Sequence, residues 1–319
     1  MSKSAVLGMP KLPIEAIRLL EKKFIVHLMP AHESKKIPDE WTPHIRAIAT
    51  PGRDPGIGKL DSIVFNQLPR LEIISSFSSG LDGIDVDAAM NRGIAVGHAP
   101  DVLAEPVADI ALGLAIDLAR GITKGNHYVK QGLWSKQGPT PLAISLSGKV
   151  AGIVGLGRIG KALADRLRAC GLTVCYTGRK QQPHISLEYF QSLIELASKS
   201  DFLFCCCPAT TQTNNIINSD VLNALGPTGF LVNVARGSVV NEEDLISALQ
   251  TGAILGAGLD VCNNEPHPDQ RFLNLTNLLI LPHLGASTVE ARNSMFEVMF
   301  DNLERHFSGQ AMRFPFCKS

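Results

Sequence analysis

The chain has no excess charge of either sign: 30 basic and 30 acidic side chains cancel over 319 residues. That removes the electrostatic footprint of a nucleic-acid or polyanion binder and favours a small-molecule partner. No apolar run is long enough to span a bilayer, and the N-terminus has neither the charged head nor the apolar stretch of a secretory signal. A soluble, cytoplasmic protein with no membrane partner is expected. The seven cysteines are an odd number and no pair stands at C-x-x-C spacing, which argues against a disulfide framework and against a thiolate metal or redox centre. Adjacent Cys205, Cys206 and Cys207 lie in an apolar segment and read as buried thiols. No ligand cluster has metal spacing, so no metal is expected, and a metal-dependent hydrolase or lyase on this fold class lacks its donors.

What is present is alternation. Short β-rich runs and helix-period stretches follow one another along the whole chain, the pattern of parallel α/β sheets with crossover helices, and 319 residues suffice for two such domains. Strands are predicted at Ala5 to Met9, Phe24 to Met29, Arg46 to Thr50, Leu71 to Phe77 and Ile94 to Ala99, one small doubly wound unit. A long Ala/Leu/Ile-rich helical stretch from Val102 to Gln131 is interrupted by Gly113, Gly121 and Gly125. Its apolar content exceeds a surface helix's needs, so it is expected between domains or against a second copy of the chain. A polar stretch from Gly132 to Gly148 precedes a second series, with strands at Val150 to Val154, Thr173 to Thr177, Phe202 to Cys207, Phe230 to Val234, Gly258 to Val261 and Leu278 to Leu281. Thr288 to Phe307 reads as one amphipathic helix that returns to the first unit.

Val150 to Val154 run into Gly155-Leu156-Gly157-Arg158-Ile159-Gly160 and then a helical period. Strand, G-x-G-x-x-G, helix is the dinucleotide fingerprint: Gly155 for the tight turn, Gly157 for backbone approach to a pyrophosphate, Gly160 for close helix-strand packing, with the helix N-terminus facing the anion. The next strand ends at Gly178-Arg179-Lys180, where an NAD-binding unit usually carries an acid for the ribose 2′-hydroxyl. No acid stands there. Arg179 can pair with a 2′-phosphate and Lys180 adds positive potential, so NADP(H) is expected to be preferred over NAD(H).

Arg236, Glu265 and His283 each stand just past an apolar strand of the second series, the end at which open parallel sheets bind ligands. Reduction of a 2-oxo acid needs a cation for the carboxylate and carbonyl oxygen, a proton for that oxygen, and a group to orient the proton donor. Arg236 offers the forked donor, His283 the general acid, and Glu265 a hydrogen bond that fixes the imidazole tautomer. The rival from another class is a non-catalytic protein that senses the cofactor's redox state, against which the intact trio argues.

Several segments carry a family likeness: A-P-D-V-L-A-E-P-V-A-D at Ala99 to Asp109, N-V-A-R-G-S-V-V-N-E at Asn233 to Glu242, G-L-D-V-C-N-N-E-P at Gly258 to Pro266 and P-H-L-G-A-S-T at Pro282 to Thr288. With the glycine motif they resemble the D-isomer-specific 2-hydroxyacid dehydrogenase family over nearly the whole length. S-S-F-S-S-G-L-D-G-I-D at Ser75 to Asp85 and Y-T-G-R-K at Tyr176 to Lys180 are most similar to the glyoxylate/hydroxypyruvate reductase branch. The resemblance implies a flavodoxin-like substrate domain of residues 1–98 plus 286–319, a Rossmann dinucleotide-binding domain of residues 99–285, and a cleft between them. It implies catalytic positions at Arg236, Glu265 and His283, backbone donors at Ser79 and Gly80 for the substrate carboxylate, and Arg158, Ile159, Pro208, Thr213 and Asp260 beside the cofactor. It further implies a homodimer built on the helix from Val102, with the segment around Trp134 reaching the partner. Ser79 stands where the branch often has Val, Ala104 where the family often has Thr, and Pro51 to Gly58 departs from its small-residue loop. The resemblance makes glyoxylate and hydroxypyruvate the leading substrates, and these departures keep a longer sugar-derived acid such as 2-ketogluconate as the alternative.

Overall fold

A computed structural model describes residues 3–10, 12–30, 35–52, 58–100 and 103–316. The chain folds as two compact units, Met1–Val102 with Thr288–Ser319, and Leu103–Ser287.

The first unit is built from β1 (Ala5–Gly8), α1 (Ile14–Glu21), β2 (Ile25–Leu28), β3 (Ile45–Thr50), α2 (Ser62–Phe65), β4 (Ile73–Ser76), α3 (Val86–Asn91) and β5 (Ala95–Gly97). Its five strands are all parallel in the order β2-β1-β3-β4-β5. Burial on both faces explains the near-continuous apolar runs: every residue of β1 and β4 is buried. Short polar caps start α2 and α3, with Asp61 and Asp85 accepting from Ile63 N and Ala88 N.

The second unit begins with α4 (Ala104–Arg120), α5 (Ile122–Lys130) and α6 (Leu133–Gln137). It continues through β6 (Val150–Val154), α7 (Arg158–Ala169), β7 (Thr173–Thr177), β8 (Glu188–Tyr189), α8 (Leu193–Lys199), β9 (Phe202–Cys205), α9 (Ser219–Leu225), β10 (Phe230–Asn233), α10 (Glu242–Thr251), β11 (Gly256–Leu259) and β12 (Leu278–Ile280). Seven parallel strands run in the order β12-β11-β10-β9-β6-β7-β8, so the winding reverses between β6 and β9. The two-domain, doubly wound α/β class read from the sequence is the observed one. Phe202 stacks on Phe230 with ring centroids 5.0 Å apart in the centre of the sheet. Helix α4 lies over β10 and β11 and against α7, where Arg166 pairs with Glu105 and Asp109, each at 2.7 Å. Among the described residues, no helix is long and apolar enough to cross a membrane.

The last helix, α11 (Val289–Phe307), belongs to the first unit, and Thr288 caps it by accepting from Ala291 N. Phe296 meets Phe77 edge-on at 5.1 Å, and the Ser75 hydroxyl donates to Met299 O at 3.1 Å inside the core.

Three expectations are corrected. The helical stretch breaks at Gly121, whose φ of +61° is open to glycine and whose N–H closes α4 on Asp117 O; Val102 lies outside the described residues. The next strand correction is β11, which is Gly256–Leu259 rather than Gly258–Val261. Its Gly-Ala-Gly start has low β propensity, but a Cβ on Gly258 would sit 3.1 Å from Leu114 Cβ, so the helix above requires small residues there. Finally, α6 and the two-residue edge strand β8 were not foreseen, being too short to show a period.

Candidate active site

The winding reversal between β6 and β9 is the topological switch point at which open α/β sheets take ligands. Gly155 follows β6 at φ +95°, and a Cβ there would lie 2.7 Å from Cys207 Cα, so only glycine fits the turn beside the end of β9. Gly160 lets α7 approach its strand: a Cβ would come within 2.5 Å of Gly155 O. Gly157 differs from both, because a Cβ there would meet nothing within 4 Å. It is the N-cap of α7 without a side-chain cap, so open space, bare backbone and a helix N-terminus coincide as a pyrophosphate cradle requires. Arg158 and Ile159 open the helix.

Arg179 and Lys180 are exposed on the loop after β7. That loop is tied to the cradle: Gln182 Nε2 donates to Leu156 O at 2.6 Å, and Gln182 N donates to the buried Tyr176 hydroxyl oxygen at 2.8 Å. Pro208 and Thr213 are joined directly, the threonine hydroxyl donating to Pro208 O at 2.7 Å.

Arg236, Glu265 and His283 follow β10, β11 and β12, three neighbours on one side of the sheet. His283 Nδ1 lies 2.8 Å from Glu265 Oε2, while Glu265 Oε1 accepts from Cys262 N at 3.1 Å. A carboxylate only accepts, so Nδ1 carries hydrogen and leaves Nε2 for other partners. His283 takes φ +56°, and its N–H donates to Asp260 O at 3.0 Å. Asp260 is 1 % exposed and accepts from Leu284 N and Gly285 N at 2.7 and 2.9 Å, so its carboxylate anchors the segment carrying His283. Arg236 Nη1 donates to Ala235 O at 2.7 Å, and the buried Asn233 side chain braces the turn by accepting from Ala235 N and donating to Arg236 O. What locks the Arg236 loop to the Glu265 loop is Gly237: a Cβ there would overlap the Cys262 carbonyl and Asn263 N. Among the described residues no group of His, Cys, Asp and Glu could hold a metal ion.

In the first unit, Ser79 and Gly80 lie on the loop after β4. Ser76 Oγ accepts from Ser78 N at 3.0 Å, and Ser78 Oγ from Gly80 N at 3.3 Å. Gly52, at φ +82°, lies against this loop, where a Cβ would come 2.8 Å from Gly80 O. Most of the Pro51 to Gly58 segment, residues 53–57, lies outside the described residues.

Residues 112–285 match the model of the D-isomer specific 2-hydroxyacid dehydrogenase NAD-binding domain. The chain is 44% identical over 255 residues to glyoxylate/hydroxypyruvate reductase A of Arabidopsis thaliana, covering 80% of this chain and 81% of that one. It is 38% identical to a 2-ketogluconate reductase of Gluconobacter oxydans, over 96% of each chain. A solved NADPH-dependent glyoxylate/hydroxypyruvate reductase of Sinorhizobium meliloti, in complex with NADP and malonate, superposes with a TM-score of 0.91 at 37% identity, over 99% of this chain and 97% of that one.

The chain belongs to the D-isomer specific 2-hydroxyacid dehydrogenase family, in the branch of the glyoxylate and hydroxypyruvate reductases.

Reading the sequence of this dehydrogenase assigned no role to Asn233, Gly237, Gln182 or Glu242. The last accepts from Asn263 N at 2.6 Å, and burial raises its carboxyl above the usual carboxylate range. Asn233, Gly237 and Glu242 fall inside a quoted motif, which is the only signal that could have found them. The partners of Gly237 and Glu242, Cys262 and Asn263, sit in a loop whose proximity no local pattern encodes.

Proposed function

We propose that this dehydrogenase reduces glyoxylate or hydroxypyruvate to the D-2-hydroxy acid with NADPH, with His283 as general acid. The Glu265–His283 pair at 2.8 Å, locked beside the Arg236 loop at the strand ends, carries the reading. Gly155, Gly157, Gly160, Arg158 and Ile159 would hold the dinucleotide pyrophosphate, Arg179 and Lys180 its 2′-phosphate, and Pro208, Thr213 and Asp260 would border it. When bound, it supplies the hydride. The protein does the rest. Arg236 orients the keto acid and stabilises the charge that develops on the carbonyl oxygen. His283 delivers the proton from Nε2, while Glu265 holds Nδ1–H and with it the ring's direction. Backbone N–H groups of Ser79 and Gly80 take the substrate carboxylate, which makes Met1–Val102 with Thr288–Ser319 the substrate domain and Leu103–Ser287 the dinucleotide-binding one.

A homodimer in a reducing cytoplasm fits the second unit's surface. Leu142 is fully exposed at an open groove of about 610 Å³ lined also by Leu118, Tyr128, Ile144 and Leu279, and Trp134 is 61% exposed on α6, apolar side chains that a second copy of the chain could cover. A second substrate reading, 2-ketogluconate, is favoured by the Gluconobacter relative.

The deciding experiment measures loss of 340 nm absorbance with NADPH or NADH against glyoxylate, hydroxypyruvate and 2-ketogluconate. Glyoxylate or hydroxypyruvate with NADPH should give the highest kcat/KM, and His283→Gln should lower kcat by about 10²–10⁴. Equal rates for that variant and the parent remove His283 from the mechanism, and no turnover on any acid leaves the cofactor-sensing alternative.

A further inference from the structure

His98, the residue after β5, sets its Nδ1 3.2 Å from the carbonyl oxygen of Ser79. The carbonyl only accepts, so Nδ1 is the donor. The residue is held from several sides. Its N–H donates to Phe314 O at 3.1 Å, Asn302 Nδ2 donates to its carbonyl at 3.4 Å, and the Phe316 ring meets the imidazole edge-on at 6.3 Å. Asn302, itself fully buried, also accepts from Phe314 N at 3.2 Å, so α11 and the segment after it fix where the imidazole stands. This arrangement spends a half-buried, well-packed histidine on one loop carbonyl.

That carbonyl is not an arbitrary one. Ser79 C=O and Gly80 N–H belong to a single planar peptide unit, pointing in opposite directions across a trans bond. A donor on the oxygen fixes the plane, hence the direction of the N–H, and polarises it toward any acceptor on the other edge. Gly80 N is poorly engaged within the loop, since its bond to Ser78 Oγ, at 3.3 Å, is longer than the usual N–H···O range. Resting on the reading that Ser79 and Gly80 take the substrate carboxylate, we propose that His98 is a positioning residue for substrate: its Nδ1–H on Ser79 O aims and strengthens the Gly80 N–H that receives the anion.

The test compares His98→Phe, which keeps a ring but loses the donor, with His98→Asn, which keeps a donor. KM for glyoxylate, Ki for the dead-end carboxylate oxamate, kcat and the Kd for NADPH are measured for each. His98→Phe should raise KM and Ki together by roughly tenfold, the size of a lost hydrogen bond to a charge-binding group. In that variant kcat should move far less and the NADPH Kd should stay within about twofold, since the uniform binding of a carboxylate is what is lost. His98→Asn should recover most of the loss. Unchanged KM and Ki in His98→Phe, or a comparable rise in KM, Ki and the NADPH Kd with a matching fall in kcat, overturns the proposal. Gly80→Pro, which deletes the N–H, separates the layers. If it raises Ki while His98→Phe does not, His98 alone is dismissed. If it leaves Ki unchanged, the carboxylate reading falls and takes the proposal with it.

Discussion

Replacing Gly237 by alanine is the sharpest perturbation the site offers. The added Cβ would fall well inside 3.0 Å of the Cys262 carbonyl carbon and Asn263 N, and both are backbone atoms that no rotamer change can move. The Arg236 loop and the Glu265 loop must therefore separate by roughly 1 Å to restore ordinary contact, and misplacement of that size between cooperating groups costs about 10²-fold in rate. Overpacking of this kind costs about 1–3 kcal/mol of stability, which a chain of this length tolerates. The dinucleotide cradle follows β6, whereas the atoms nearest a Gly237 Cβ belong to the Cys262–Asn263 backbone, so affinity for NADPH should hold within about threefold. Steady-state NADPH oxidation with glyoxylate, nucleotide titration by fluorescence and calorimetric Tm read the three quantities separately. Gly157→Ala is the converse, because its Cβ meets nothing in the protein. Its Tm should stay within about 1 °C of the parent while NADPH binding weakens, since the methyl fills space kept for ligand. A Gly237→Ala enzyme with kcat/KM within about threefold of the parent would refute the view that this glycine holds the two loops in register.

Arg179→Ala with Lys180→Ala should lower kcat/KM for NADPH by about 10–100-fold and leave NADH within about threefold; an equal loss for both cofactors would deny these residues the 2′-phosphate. Burial pushes the Cys175 and Cys207 thiols up to about 11 and raises Cys205 well above the ordinary thiol value, so alkylation of the native chain at pH 8 followed by peptide mapping should leave all three unmodified; labelling of Cys207 at the rate of a free thiol would contradict that. The Glu72 carboxyl is held below the usual carboxylate range chiefly by hydrogen bonds from Arg46 at 2.6 and 2.9 Å. It therefore binds fewer protons folded than unfolded, and its contribution is present above the unfolded value near pH ~4.3 and is lost as the pH falls through the lower folded value. Glu72→Gln should cost less than about 1 kcal/mol at pH 7, as a part-exposed pair does, with the Tm gap narrowing from pH 5 toward 3; a gap that widens on acidification would reverse the argument.

Much of this architecture could be read from the chain because a parallel sheet covered on both faces demands apolar runs. Phe202 to Cys205 and Phe230 to Asn233 are such runs, and the glycine motif after Val154 names its own geometry. β11 was misplaced because its Gly-Ala-Gly start answers to Leu114 and Leu118 of α4, a tertiary constraint that overrides strand propensity. Of the three interrupting glycines in the helical stretch only Gly121 ends a helix, at positive φ, while Gly113 and Gly125 stay inside α4 and α5; helical composition on both sides gave no way to tell them apart. At the candidate site, residue type and strand-end position pointed to Arg236, Glu265 and His283. The supports around them, Gly237 on Cys262, Glu242 on Asn263 and Asp260 on Leu284, join segments distant in sequence through backbone atoms, and side-chain patterns are silent about those.

The strand order of the larger sheet has an engineering consequence. The glycine turn, the Arg179–Lys180 loop and the Pro208–Thr213 loop leave β6, β7 and β9, whereas Arg236, Glu265 and His283 leave β10, β11 and β12. On the proposed assignment, coenzyme choice and proton delivery would occupy separate halves of one platform. Grafting a different segment over 178–182 would retune the first without recutting the second, provided the graft keeps an amide at position 182 to grip Leu156.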